Sequence, residues 1–291
     1  MYEKHFGLRE KPFALLPDPS YLYLSEGHAK ALTLLRYSII GRQGFTVVTG
    51  EIGSGKTTLI NRVLEDIDEN ITVGLLNFTD PGAVDLNEWL AMIFGLEYGG
   101  KSRVELYEAF ISFLIRQYAQ GKYTVLIVDE AQNLIIEGLE KIRMLSNVNA
   151  KKEHLLHLIL VGQPQLRDLL NVPDLEQFVQ RVSVSYHLGR LSMKDSRAYI
   201  EHRLNKAGAT RPIFSPQAIR ILTEASHGVP RLLNSLCDLA LVYGFSTDKE
   251  LIDARIARSV LADRMEMGLD SAQSAVTSNQ PAQTVVPPRY Q

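Results

Sequence analysis

The stretch Gly50-Glu51-Ile52-Gly53-Ser54-Gly55-Lys56-Thr57 constrains this chain more than any other. It has glycines at the first and sixth positions followed by Lys-Thr, the spacing of a phosphate-binding loop. The run Phe45-Thr46-Val47-Val48-Thr49 ahead of it is β-branched and aromatic, and Thr58–Leu64 behind it reads as a helix. Strand, loop and helix in that order are what such a loop requires. Glycines allow a tight turn whose backbone N–H groups face inward, and the helix N-terminus adds positive potential. Lys56 is then placed for the β- and γ-phosphates of a nucleotide, and the Thr57 hydroxyl for Mg²⁺. Gly50 through Thr58 is the expected nucleotide-contacting segment.

A loop of this kind needs a sheet to sit on. Thr72–Phe78, Thr124–Val128 and Leu156–Val161 read as further strands, and Val182–Leu188 as a weaker fifth. Helical patterns separate them; in one, Ser102 and Glu105 form a capping box ahead of Leu106, Phe110, Leu114 and Tyr118. Continuous apolar strands alternating with helices predict an α/β fold, a parallel sheet covered on both faces over residues 45–190. After Arg190 only helical patterns remain, opened by Ser192, by Ser215-Pro216 and by Pro230-Arg231, with a last one over Ile252–Met265. Residues 191–267 therefore read as a small helical domain. Residues 1–44 read as a proline-punctuated lead-in with one helix near His28–Ile40, and 268–291 as a disordered Ser-, Gln-, Ala- and Pro-rich tail.

The second chemical element is Val125-Leu126-Ile127-Val128-Asp129-Glu130, which carries two carboxylates out at the carboxyl end of a strand, where ligands sit in open parallel sheets. An apolar run ending in Asp-Glu is weak evidence alone. Paired with the loop, it assigns Asp129 to the Mg²⁺ shell and Glu130 to the role of general base. Gln163, just beyond the next strand, is placed to orient a water or touch a γ-phosphate, or else to make a loop hydrogen bond. Arg181 precedes the fifth strand and Arg231 opens a helix of the small domain. Each is either a solvated surface charge or a cation brought to the nucleotide.

Taken together, these residues resemble the AAA+ ATPases, and more narrowly the type represented by general secretion pathway protein A and the MSHA biogenesis ATPase. The runs that carry the resemblance include Pro17-Asp18-Pro19, Asp129-Glu130-Ala131-Gln132-Asn133-Leu134, Val161-Gly162-Gln163-Pro164-Gln165-Leu166 and Gly228-Val229-Pro230-Arg231-Leu232-Leu233-Asn234. What the resemblance implies is ATP hydrolysis with Mg²⁺ and ATP-dependent homo-oligomerisation. It also implies an arginine finger at Arg181, with Arg143 the alternative, a sensor Gln163 and a lid sensor Arg231. The implied partners are inner-membrane or envelope assembly proteins of a secretion, pilus or surface-polymer export machine. A DNA-binding AAA+ regulator of transposition shares much of this pattern and is the competing reading.

Composition narrows the field further. Lys and Arg number 31 against 33 Asp and Glu, a formal net charge of -2, which excludes a strongly basic nucleic-acid coat. The helical domain alone, from Arg190 to Met265, has 12 basic residues against 8 acidic ones, an excess that fits a solvated surface better than a nucleic-acid face. One cysteine, Cys237, excludes an internal disulfide. Its position on an apolar helical stripe predicts burial. The amino terminus lacks the order of a signal peptide, and no apolar run approaches the ~18 residues of a membrane span, so a cytoplasmic protein is expected.

Overall fold

Five strands form one parallel sheet: β1 (Phe45–Gly50), β2 (Ile71–Asn77), β3 (Tyr123–Asp129), β4 (Leu156–Gly162) and β5 (Val182–Leu188). Their order is β2-β3-β4-β1-β5. This computed structural model describes residues 1–16, 18–42, 44–77, 85–150 and 153–266; the expected tail, 268–291, and Phe78 at the end of the second expected strand lie outside them. The registers put Val48 of β1 beside Val161 of β4 and Asn77 of β2 beside Asp129 of β3. The loop after β1 and the carboxylates closing β3 therefore emerge at the same, carboxyl-terminal edge.

β1, β3 and β4 are buried throughout, which is why their sequences are continuously apolar rather than alternating. Helices α1 (Glu26–Ile40) and α2 (Lys56–Glu65) cover one face, where Leu35, Leu59 and Val63 meet Val125, Ile127 and Ile159. On the other face, α3 (Leu86–Ile93), α4 (Arg103–Ala119) and α5 (Ile136–Leu145) bring Leu90, Phe110, Leu114 and Leu139 onto Leu126, Val128 and Leu158. The capping box expected at Ser102 and Glu105 is present at the start of α4.

Four helices build the small domain: α6 (Met193–Lys206), α7 (Pro216–Ser226), α8 (Pro230–Ser246) and α9 (Ala254–Glu266). Ser192 and Ser215 cap α6 and α7 as expected, and Cys237 is fully buried. The last helix starts two residues later than its sequence suggested, because Ile252 is held in a bridge with Phe214 instead.

The lead-in is more than a lead-in. Tyr2, Phe6, Leu8 and Phe13 are buried in the same apolar cluster as α6–α9, and the Arg9 N–H donates to the Ala207 carbonyl at 2.8 Å. The first 13 residues thus form a strap that completes the helical domain, while α1, a few residues later, belongs to the sheet domain. Phe13 packs edge-on against Phe214 with ring centroids 6.0 Å apart. Phe13→Ala is expected to cost about 3–5 kcal/mol of stability, measured by urea unfolding of the full chain. An unchanged midpoint would remove Phe13 from the core.

Candidate functional site

The loop between β1 and α2 turns through Gly53 and Gly55, at φ +77° and +100°, conformations that only glycine adopts without strain. Lys56 is buried at the start of α2 and its Nζ donates to the carbonyls of Gly50 at 2.8 Å and Glu51 at 3.0 Å. Burial lowers its pKa, against the opposing pull of Glu130, Asp129 and Glu51. The Thr57 hydroxyl donates to Asp129 Oδ2 at 3.0 Å, joining the two chemical elements directly. Asp129 is itself buried, which raises its pKa against hydrogen bonds from the Glu130 N–H and the Thr57 hydroxyl.

Glu130 follows at φ +53°, a left-handed backbone that is uncommon for a residue with a Cβ and tends to mark functional sites. Its Oε2 accepts from Gln163 Nε2 at 3.1 Å and from Gln132 Nε2 at 2.5 Å. Gln132 Oε1 in turn accepts the Gln163 backbone N–H at 2.9 Å. Gln163 is thus brought to Glu130. Gln132 was not singled out from the sequence, although it stands two residues beyond Glu130, on the turn that follows β3.

Above the loop lies a cavity of about 380 Å³. The loop closes one side, the lead-in residues Ala14, Leu15, Tyr21 and Tyr23 a second, and the helical domain the third, through Leu191, Tyr199, Arg203, Arg231 and Asn234. Arg203 fastens two of these walls together. It donates to the carbonyls of Pro12 at 2.6 Å and Ala14 at 3.4 Å and to the Tyr199 hydroxyl at 2.8 Å, and it stacks over Tyr21. Arg231 meets the loop itself, donating its backbone N–H to the Gly53 carbonyl at 3.2 Å. A Cβ at Gly53 would lie 2.4 Å from Arg231 Cβ, so a glycine there is also a packing requirement of the helical domain. Ile52 is exposed, Glu51 faces Arg190 at 3.6 Å, and Ser54 is buried with its hydroxyl unpartnered. Thr58 lines the same cavity.

These residues suit a magnesium nucleotide. Lys56 and the glycine cradle offer positive potential to phosphates. Thr57 and Asp129 offer two hard oxygens side by side, as few as Mg²⁺ takes from a protein when phosphates and waters supply the rest.

Arg181 stands elsewhere. Its carbonyl accepts the Phe45 N–H at 2.9 Å, so it marks the amino-terminal edge of the sheet. That edge is the length of β1, about 20 Å at ~3.3 Å per residue, from the loop. Its guanidinium contacts Ser146 Oγ at 3.2 Å, whereas Arg143 on α5 is paired with Glu140 at 2.8 Å.

Residues 39–170 match the family model of the AAA domain. The chain is an AAA+ protein. Over 247 residues this AAA+ protein is 38% identical to general secretion pathway protein A of Aeromonas hydrophila, an alignment covering 84% of this chain and 45% of that protein. It therefore spans about half the length of the curated relative it matches. Two Aeropyrum pernix structures share its fold. The ORC2 protein in its ADPNP–ADP complexes superposes with a TM-score of 0.62 at 16% identity, covering 87% of this chain and 71% of that one. The ORC1 protein in complex with DNA does so with a TM-score of 0.62 at 16% identity, covering 94% and 73%. Among the described residues, no helix of the AAA+ protein is long and apolar enough to cross a membrane.

Proposed function

We propose that this AAA+ protein binds ATP with Mg²⁺, hydrolyses it, and uses the cycle to assemble or regulate an envelope machine of the secretion, pilus or surface-polymer type. The observation that carries the chemistry is the placement of Glu130. It lies one residue beyond the Thr57–Asp129 pair with its carboxylate held by Gln132 and Gln163. Lys56 leaves the loop carbonyls for the β- and γ-phosphates. Thr57 and Asp129 would hold Mg²⁺, which would supply neutralisation of phosphate charge. Glu130 takes the proton of the attacking water as the new bond to the γ-phosphorus forms and the bond to the bridging oxygen of the leaving ADP breaks. Gln163 orients that water, and Arg231 senses the nucleotide from the lid.

Oligomerisation through the nucleotide face, with Arg181 given to a neighbour's site, is part of the same proposal; it is supported by the distance of Arg181 from its own loop. Envelope assembly proteins as partners, acting at the cytoplasmic face, rest on the likeness to general secretion pathway protein A. Lys56→Ala is expected to abolish binding of a fluorescent ATP analogue while the thermal transition stays in place. Wild-type affinity in that variant would displace the phosphate site from this loop.

A DNA-binding role is the second reading, favoured by the basic excess of the helical domain. Two of those cations, Arg197 and Arg220, already face Glu201 and Glu224 on their own helices. ATP-dependent retention of duplex DNA, falling steeply with salt, would establish it.

A further inference from the structure

Beneath the phosphate loop lies a histidine that neither chemical element accounts for. His28, on the first turn of α1, is buried at 5% exposure and borders the nucleotide cavity. Its Nε2 is 3.1 Å from the Ser54 carbonyl oxygen, and its Nδ1 is 2.7 Å from the hydroxyl of Ser25, the residue that caps α1. A carbonyl oxygen only accepts, so Nε2 carries the hydrogen and donates it to Ser54. Nδ1 then accepts from the Ser25 hydroxyl, while that oxygen accepts the His28 backbone N–H at 3.3 Å. Burial lowers the imidazole pKa, the direction that favours an uncharged ring.

The bond fixes more than a side chain. In a planar trans peptide the C=O and the following N–H point in opposite directions. Drawing the Ser54 carbonyl toward His28 therefore turns the Gly55 N–H away from α1 and into the loop. Gly55 is a residue at φ +100°, where a Cβ would lie 2.9 Å from His28 Nε2. Flipping that one peptide would withdraw an N–H donor from the phosphates and present a carbonyl oxygen to them instead, reversing the sign of the local potential.

We propose that His28 is a positioning residue for nucleotide binding: its Nε2–H holds the Ser54–Gly55 peptide in the one orientation that presents an N–H to phosphate. This rests on the reading of the loop as a phosphate site. Ser25 and His28 then act as a unit, the serine orienting the ring and the ring orienting the loop.

The test compares three replacements in the full chain. His28→Phe keeps ring volume without a donor, His28→Leu fills the space with an aliphatic group, and His28→Gln restores a side-chain N–H at similar reach. Affinities for Mg-ATP, Mg-ADP and adenosine are measured by calorimetry or competition, with thermal transitions recorded alongside. The Phe and Leu variants are expected to bind ATP and ADP about five- to tenfold more weakly, with adenosine affinity unchanged, and the Gln variant within about twofold of wild type. The proposal is overturned by wild-type ATP affinity in the Phe or Leu variant, by an equal loss for adenosine, or by a Gln variant as weak as Phe. Unfolding of both Phe and Leu variants would also overturn it, because His28 would then be a core residue. Lys56→Ala separates the two readings. Equal ATP binding by wild type and Lys56→Ala sinks the phosphate site itself. A clear Lys56→Ala defect beside a wild-type His28→Phe sinks this inference alone.

Discussion

Glu130→Gln is expected to slow phosphate release by about 10²–10⁴-fold, the usual cost of losing a general base, while Mg-ATP affinity stays within a few-fold of wild type. The amide has nearly the shape of the carboxylate, and its oxygen can still accept from Gln132 or Gln163. What it cannot do is take a proton from water. Asp129 and Thr57, 3.0 Å apart, are untouched, so the metal shell should persist. ATP bound and not consumed should hold the protein in its assembled form, visible as a shift in light scattering with ATP that ADP does not produce. Phosphate release at the normal rate would mean that another group activates the water.

Arg181→Ala should come close to silencing turnover as well, for a different reason. A cation supplied by a neighbour is worth about 10³–10⁵ in rate where it has been measured in GTPases. Arg181 suits that part because a neutral hydroxyl, Ser146 Oγ, holds it at 3.2 Å, and an approaching phosphate is a stronger partner than a hydroxyl. Arg143 would first have to leave the Glu140 carboxylate. The decisive measurement mixes two inactive proteins, Lys56→Ala and Arg181→Ala. One keeps the finger and lacks the pocket; the other keeps the pocket and lacks the finger. Mixed assemblies contain some interfaces with both parts intact, and ATPase activity should return. Full activity in Arg181→Ala alone, or no recovery in mixtures shown to co-assemble, would rule out this arginine.

The glycine-rich loop between strand and helix, the strands and the position of Asp129-Glu130 were legible in the sequence because each is a local signal: a fixed spacing, a run of apolar residues, a strand end. Gln132 was nearly legible. Its position two residues after Glu130 is visible, but its hydrogen bonds to Glu130 and to the Gln163 backbone depend on how the turn folds. Apart from Arg231, the far walls of the cavity were not legible, since Tyr21 and Arg203 meet only after the chain has wound through the whole sheet domain. His28 was hidden for the same reason: its partner, the Ser54 carbonyl, is backbone and has no signature. The strap escaped notice because irregular, proline-broken segments have no period to detect. Four large apolar side chains within thirteen residues were the available sign.

That strap is joined to residues far along the chain. Tyr2 bonds to Asp238, and His5 reaches the Lys249 carbonyl. On a ribosome adding about 5–20 residues per second, the first residues therefore wait some 10–50 s for their partners to be made. Contacts so distant along the chain also make for slow closure. During that interval Tyr2, Phe6, Leu8 and Phe13 have no core to enter, while the sheet domain, whose strands all precede residue 189, can already be complete. A nascent chain of this topology is expected to pass through a stage with a folded sheet domain and a strap that is still open. The helical domain and the cavity it walls can close only once residues as far along as Lys249 have been made.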